Sequence, residues 1–314
     1  MKKIYIESYG SVDELKISDV GIPKAGATQI VVKVKAFSIN HPDIVMRQNG
    51  PFPTMPEAFR PKLPHMLGQD FSGVVTEIGE HVTNYQVGDH IYGFSMSGTN
   101  AAYLLLESDG PIAKVSQHLD LIPLGGFYLG AATAWSAVIA KGKLKKDDRV
   151  LIHGGAGGVG SMAIQIAKHF GAYVITTARA SQMEYLKSLG ANEVIDYQTE
   201  DFTLLVKDID LVVNLTGTKT LEQSYQVVKK GGRITSVNGL PNADKAAQFD
   251  VEAVYALGDL SEETRHQLTD LYEKGILKVS ILKEYPFELN ALKQAHNDFE
   301  HESNTGKRIV VIED

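Results

Sequence analysis

The sequence predicts an α/β protein in which a doubly wound parallel sheet is inserted into a strand-rich domain that the chain leaves and later re-enters. Three observations carry that expectation. The first third reads as many short strands, a glycine-packed turn at residues 154–160 joins an apolar run to an amphipathic helix, and strand and helix alternate from Val150 onward.

In chain order, residues 3–8, 15–20, 29–38, 71–78, 90–94 and 101–107 are expected strands. Alternation through Ile30, Val31, Val32, Lys33, Val34 and Lys35, with turn signals at Gly88-Asp89 and Asp109-Gly110, supports them. Residues 121–140 carry no charge, a length that would allow a membrane span. Pro123, Gly125, Gly126 and Gly130 crowd its first half, while Thr133 and Ser136 interrupt its second. The segment is therefore expected to be a loop leading into a buried helix over about 130–140, ending at Lys141-Gly142.

Residues 150–152 form a short apolar strand, and Val159, Ala163, Ile164, Ile166, Ala167 and Phe170 then recur with helical spacing until Gly171 stops the helix. Residues 173–177 supply a second strand and complete a βαβ unit. Further parallel strands are expected at 194–196, 211–215 and 233–238, with a helix over 221–229. The tail, a strand at 281–286, a helix at 289–300 and a strand at 308–312, is expected to fold back onto the first domain.

The glycine turn carries the chemistry. Gly155, Gly157 and Gly160 satisfy G-x-G-x-x-G: the first permits the tight turn, the second lets backbone approach a diphosphate, and the third lets helix pack close on strand. Gly158 and Val159 open the helix, whose N–H groups and positive dipole end favour a phosphate. An NAD-specific site would carry Asp or Glu at the end of the second strand, to accept from the ribose 2′-hydroxyl. This chain has Ala178, Arg179, Ala180 and Ser181 there. A guanidinium grips a 2′-phosphate with charge-assisted bonds and Ser181 can add one more, so the expected cofactor is NADP(H). At roughly 1.5–3 kcal/mol for such a bond, Arg179 alone biases the choice by about one to two decades.

Bulk properties narrow the class. The 314 residues, 43% of them apolar, suit about two domains with sizeable cores. A net charge of −7 argues against a nucleic-acid partner. With no cysteine the chain can build neither a disulfide framework nor a cysteine-ligated zinc site, which fits a reducing, cytoplasmic location. Glu7 stands where a signal peptide needs an apolar core, and no membrane association is expected.

In their order, Asn40-His41-Pro42-Asp43, Leu67-Gly68-Gln69-Asp70-Phe71-Ser72-Gly73, Val87-Gly88-Asp89, Ala132-Thr133-Ala134-Trp135, the glycine turn and Leu189-Gly190-Ala191-Asn192 resemble the medium-chain dehydrogenase/reductase superfamily, in its zinc-independent quinone oxidoreductase and enoyl-reductase-like branch. The resemblance implies a GroES-like catalytic domain split over residues 1–123 and 262–314 around a Rossmann domain at 124–261, with the substrate between the two. It also implies a homodimer formed through Rossmann sheet edges. In zinc-dependent relatives a Cys lies in the segment matching 40–43, a His-Glu pair matches Gln69-Asp70, and a Cys or acid falls near Leu129. Asn40, Gln69 and Leu129 cannot make that site, since an amide is a poor zinc ligand and Leu is none. His41 and His65 read as loop histidines.

Without a metal, hydride delivery needs an acceptor that is already electrophilic, a quinone or an α,β-unsaturated carbonyl. The resemblance puts Asn40 and Asp43 at the catalytic site, Asn40 as a hydrogen-bond donor to the substrate oxygen or a brace for the following turn. Asp43 reads as a brace more than as an acid. Thr133 corresponds to a nicotinamide contact, Tyr197 to a neighbour of the 2′-phosphate, and Thr216 and Asn238 to cofactor-facing loop residues. Tyr255 is a pocket wall or proton donor, and Met46, Phe52 and Phe59 are apolar wall. Two alternatives remain open at this point: an NADPH-binding sensor without turnover, and a zinc-type alcohol dehydrogenase.

Overall fold

A computed structural model describes the 314-residue chain except positions 53, 54, 56, 58, 59, 304 and 314. Phe59 therefore lies outside the described residues. The chain forms two compact units, one of Met1–Leu129 with Ile281–Asp314 and one of Gly130–Ser280. The divisions fall at 129/130 and 280/281, where the sequence suggested 123/124 and 261/262. Gln165 explains the later return: its carboxamide donates to Lys278 O at 3.0 Å and accepts from Lys278 N at 2.9 Å, which ties residue 278 to the Gly158–His169 helix.

Along the chain the strands are β1 (Lys2–Ile6), β2 (Leu15–Asp19), β3 (Gln29–Ile39), β4 (Asp70–Ile78), β5 (His90–Phe94), β6 (Tyr103–Glu107) and β7 (Ile112–Val115). There follow β8 (Arg149–His153), β9 (Tyr173–Ala178), β10 (Glu193–Asp196), β11 (Ile209–Asn214), β12 (Val228–Ser236), β13 (Glu252–Tyr255), β14 (Ile281–Pro286) and β15 (Lys307–Val311). In the first unit a sheet runs β14-β15-β3-β4-β5-β7, with β6 also paired to β3. The returning tail joins it: β15 pairs antiparallel with β3, Arg308 opposite Ile39. Its core gathers Ile30, Val32, Val34, Phe37, Phe71 and Ile91 from the buried faces of β3, β4 and β5.

The second unit holds a six-stranded sheet in the order β10-β9-β8-β11-β12-β13, every neighbouring pair parallel. The first three strands run outward from β8 one way and the last three the other way, so the order reverses between β8 and β11. Open parallel sheets bind ligands at the carboxyl ends of their strands beside such a reversal. β8 and β11 are buried on both faces, as Val150, Leu151 and Ile152 beside Leu211, Val212 and Val213 require.

Two expectations change. The helix expected over 221–229 is shorter, Thr218–Ser224, and Val228 already pairs with Ile209. Strand pairing overrides the helical pattern there, with a register shift between Ile209 and Leu211. The uncharged 121–140 segment breaks into helices Leu121–Leu124 and Tyr128–Trp135 and a wide π-turn over Ser136–Ala140. Among the described residues no helix is long and apolar enough to cross a membrane.

Candidate functional site

The nucleotide cradle is built at the carboxyl end of β8. Gly154 takes φ +79°, Gly157 N donates to Gly154 O at 3.2 Å, and the helix Gly158–His169 begins at once. A Cβ on Gly155 would lie 2.0 Å from Thr176 Oγ1, and one on Gly160 would lie 2.2 Å from Gly154 O. Only glycine fits at either position. Gly157 caps the helix without a side chain, which leaves the first-turn N–H groups of Gly158, Val159 and Gly160 to an outside acceptor. The cradle therefore fits a diphosphate.

Beneath the cradle, one register row crosses the sheet: Ile195, Thr177, His153, Asn214, Ser236 and Tyr255 lie side by side in neighbouring strands. Its polar members are linked. His153 Nδ1 lies 3.1 Å from Thr177 Oγ1, and its Nε2 lies 3.2 Å from Ser224 Oγ. Complete burial drives the His153 pKa down to about 3, so the ring is neutral. Asn214 Nδ2 donates to Ser236 Oγ at 3.1 Å, Gly217 O at 3.2 Å and Asn238 O at 2.9 Å. Thr216 Oγ1 donates to Asn214 Oδ1 at 3.2 Å. The loops carrying Thr216 and Asn238 thus hang from one buried carboxamide.

Arg179 follows β9, and Tyr197 follows β10, where its N–H donates to Ala178 O at 3.2 Å. Arg179 Nε donates to Tyr197 OH at 3.0 Å, and Arg179 N donates to Gln182 Oε1 at 3.1 Å. Arg179, Ser181 and Tyr197 are all exposed. A guanidinium and a phenol held together at a strand end suit a phosphate monoester. Thr133 is buried in the Tyr128–Trp135 helix, and a Cβ on Gly258 would lie 3.3 Å from its hydroxyl. Asp259 N donates to Ala132 O at 3.2 Å, which fastens the segment after Tyr255 along that helix.

In the first unit, Asn40 and Asp43 flank the start of the helix His41–Asn49, which went unrecognised in the sequence. Its signals were present: Pro42 in the first turn and an acid three residues after Asn40. Asp43 Oδ2 accepts from Asn40 N at 2.8 Å, while its Oδ1 accepts from Gly68 N at 3.1 Å. Burial pushes the Asp43 pKa up to about 7, with nearby Asp70 adding to the rise and the two backbone donors opposing it.

The Asn40 side chain turns the other way, into a buried cluster formed where β15, β3 and β4 share one end. Its amide donates to Ser38 Oγ at 3.2 Å and Asp70 Oδ1 at 3.0 Å, and its oxygen accepts from Lys307 Nζ. Ser38 Oγ donates to Asp70 Oδ1 at 2.6 Å, and Lys307 Nζ lies 3.4 Å from Asp70 Oδ2. Both amide hydrogens of Asn40 are thereby occupied within the cluster. Lys307 was not singled out in the sequence, and only the return of β15 to β3 brings it here. The donor set does not fit a metal: the carboxylate at Asp70 already faces an ammonium. Among the described residues no group of three or more His, Cys, Asp or Glu could hold one.

Beside this cluster lies a small recess open to solvent. Pro42, Met46, Leu67 and Met96 line it with Asp43, His65 and Gln69. Met46 is where the sequence expected an apolar wall. Phe52 does not line this recess.

Comparison with known proteins adds context. Residues 26–141 match the alcohol dehydrogenase GroES-like domain family and residues 158–261 the zinc-binding dehydrogenase family. The 2-methylene-furan-3-one reductase of Solanum lycopersicum is 31% identical over 99% of this chain and 79% of its own length. The NADPH-dependent alkenal/one oxidoreductase, chloroplastic, of Arabidopsis thaliana is 30% identical over the same shares, 99% and 79%. The solved quinone oxidoreductase from Coxiella burnetii superposes with a TM-score of 0.90 at 31% identity, covering 100% of this chain and 99% of that one.

Proposed function

Because this chain belongs to the medium-chain dehydrogenase/reductase superfamily, in its quinone oxidoreductase-like branch, we propose that it is an NADPH-dependent reductase of quinones or α,β-unsaturated carbonyls that works without a metal. That it is an oxidoreductase is common ground among these relatives. The finer reading is carried by one observation: Arg179 and Tyr197 are joined 3.0 Å apart at the strand end where an NAD site needs an acid.

A bound reduced nicotinamide supplies a hydride. The chain's residues do the rest. The 154–160 turn holds the diphosphate, Arg179, Ser181 and Tyr197 hold the 2′-phosphate, and Asn214 fixes the Thr216 and Asn238 loops. Thr133, packed by Gly258, meets the nicotinamide end. Asn40 and Asp43 act as positioning residues, the one bracing Asp70 and Lys307 and the other clamping Gly68. With the Asp70 carboxylate facing the Lys307 ammonium and no metal invoked, the acceptor must be electrophilic by itself. With the nicotinamide bound, a quinone would take up the hydride and a proton to become the hydroquinone, and an enone would take the hydride at its β-carbon and end with the proton at its α-carbon, the proton coming from Tyr255 or water. Association of two copies through the outer edge of β13, the last strand of its sheet, belongs to the same reading.

The test offers purified protein NADPH with 1,4-benzoquinone and, separately, a short enone, and follows loss of the reduced-nicotinamide absorbance. Turnover with NADPH that Arg179→Ala weakens far more than turnover with NADH is the expected result. NADPH binding with no acceleration across an acceptor panel would instead favour a sensor or binding protein, and equal loss with both cofactors would remove Arg179 from the 2′-phosphate site.

A further inference from the structure

We infer that Gln69 is the specificity-determining residue of the recess beside Asp43, and that the recess takes neutral, flat carbonyl compounds, with the Gln69 carboxamide paired to the carbonyl oxygen. This rests on the reductase reading above and deepens it. The lining combines apolar Pro42, Met46, Pro61, Leu67 and Met96 with three polar side chains, Asp43, His65 and Gln69. Asp43 has both of its carboxylate oxygens engaged, and His65 brings a neutral ring. Both carboxylate oxygens of Asp43 are taken by the backbone N–H groups of Asn40 and Gly68. His65 is fixed by a reciprocal pair of backbone bonds with Ile6, at 2.8 and 2.9 Å, and burial lowers its imidazole pKa, so it brings no charge at neutral pH.

Gln69 differs. Its backbone is fixed, because Ser95 N donates to Gln69 O at 2.8 Å. Its side-chain oxygen is buried and has no hydrogen-bond partner among the described residues. A buried polar atom without a partner is rare and calls for an explanation. Rotation about the terminal torsion of a Gln is broad and two-fold, so the carboxamide can turn either end into the recess.

The redox change in the ligand uses both ends. A carbonyl oxygen only accepts, which calls for Nε2; the hydroxyl that a quinone gains on reduction can donate, which suits Oε1, while the saturated ketone formed from an enone keeps its pairing with Nε2. One neutral group thus serves acceptor and product without moving a charge. Among the described residues no Lys or Arg lines the recess, so a carboxylate-bearing compound would enter without a counter-charge and beside Asp43. Neutral quinones and enones are favoured over their acidic analogues for that reason.

The experiment compares wild type, Gln69→Leu and Gln69→Glu. Ligand-observed NMR with acetophenone, an aryl ketone without an activated alkene, reads binding directly, and steady-state kinetics with 1,4-benzoquinone and NADPH read KM and kcat. Both variants should weaken acetophenone binding and raise quinone KM at least tenfold, with NADPH affinity and melting temperature unchanged. Leu removes the donor and Glu replaces it by a group that only accepts. Unchanged acetophenone binding and unchanged KM in either folded variant would overturn the assignment. If no acceptor is turned over but acetophenone binding still depends on Gln69, the reductase reading fails and the recess assignment stands.

Discussion

Lys307 Nζ lies 3.4 Å from Asp70 Oδ2, and the two side chains are 5% and 0% exposed. The last strand of the chain thus delivers an ammonium to a carboxylate on β4, at the end of the sheet where Ser38 and Asn40 also point. Buried pairs of this kind contribute little net stability while intact, but removing one partner strands the other in a low-dielectric interior.

Lys307→Met should therefore cost about 3–5 kcal/mol of unfolding free energy, and Asp70→Asn a comparable amount. The double variant Lys307→Met with Asp70→Asn should cost less than the two single losses added together, because no charge is left uncompensated. Urea unfolding of the four proteins checks this. Strict additivity would mean that the two groups do not interact.

Gly160→Ala addresses the cradle. The added Cβ would meet Gly154 O at 2.2 Å and Gly155 Cα at 2.7 Å, so the turn has to open. In the helix itself Ala is favoured over Gly by about 1 kcal/mol, which offsets part of the strain in global stability. The nucleotide has no such compensation. The expected outcome is a melting temperature within a few degrees of wild type and an NADPH Kd raised at least tenfold, about 1.4 kcal/mol by calorimetry. Unchanged affinity would show that the turn does not hold the diphosphate.

The sequence made the nucleotide half of the site legible because its chemistry is local. Gly155, Gly157 and Gly160 sit within one turn, and Arg179 ends the next strand of the same βαβ unit. The hydrogen bond from Arg179 to Tyr197 already depends on β10 lying beside β9, which the sequence only suggested through resemblance. The other half was opaque. Lys307 reaches Asn40 across most of the chain, and nothing in the residues between fixes that encounter before β15 pairs with β3. Asn40 was weighed as a donor to substrate and as a brace. Its isolated motif could not decide, because the partners that occupy it come from β3, β4 and β15.

Three fully buried groups shape the pH dependence of stability. Asp43 holds its proton up to a pKa of about 7, against 3.8 ordinarily, so it lowers stability as pH rises from about 4 to 7. Burial depresses His153 and His296 to about 3 from 6.5, so each lowers stability as pH falls from 6.5 toward 3. Between pH 4 and 6.5 two protons oppose one, and the three together should make stability rise with pH by about 1.4 kcal/mol per unit. His296→Gln should flatten that slope by one proton, and Asp43→Asn should steepen it by one. Urea midpoints at pH 4.5, 5.5 and 6.5 measure both. A slope that neither variant changes would remove these groups from the account.

Asn214 offers the sharpest separation of structure from cofactor binding. Its amide donates to Gly217 O, Ser236 Oγ and Asn238 O from a fully buried position between β8 and β12. Asn214→Ala leaves the two carbonyls without that donor, at about 1–3 kcal/mol of stability, and releases the loops bearing Thr216 and Asn238. NADPH affinity should fall several-fold beyond any effect on the melting curve. Asn214→Asp tests the sign of the interaction. At pH 8 its carboxylate would face two carbonyl oxygens and could donate to neither, so it should be less stable than the Ala variant. On protonation in acid it regains one donor, and the gap between the two variants should narrow as pH falls. A gap that is constant with pH would mean that the carbonyls turn away and that the loops do not depend on this residue.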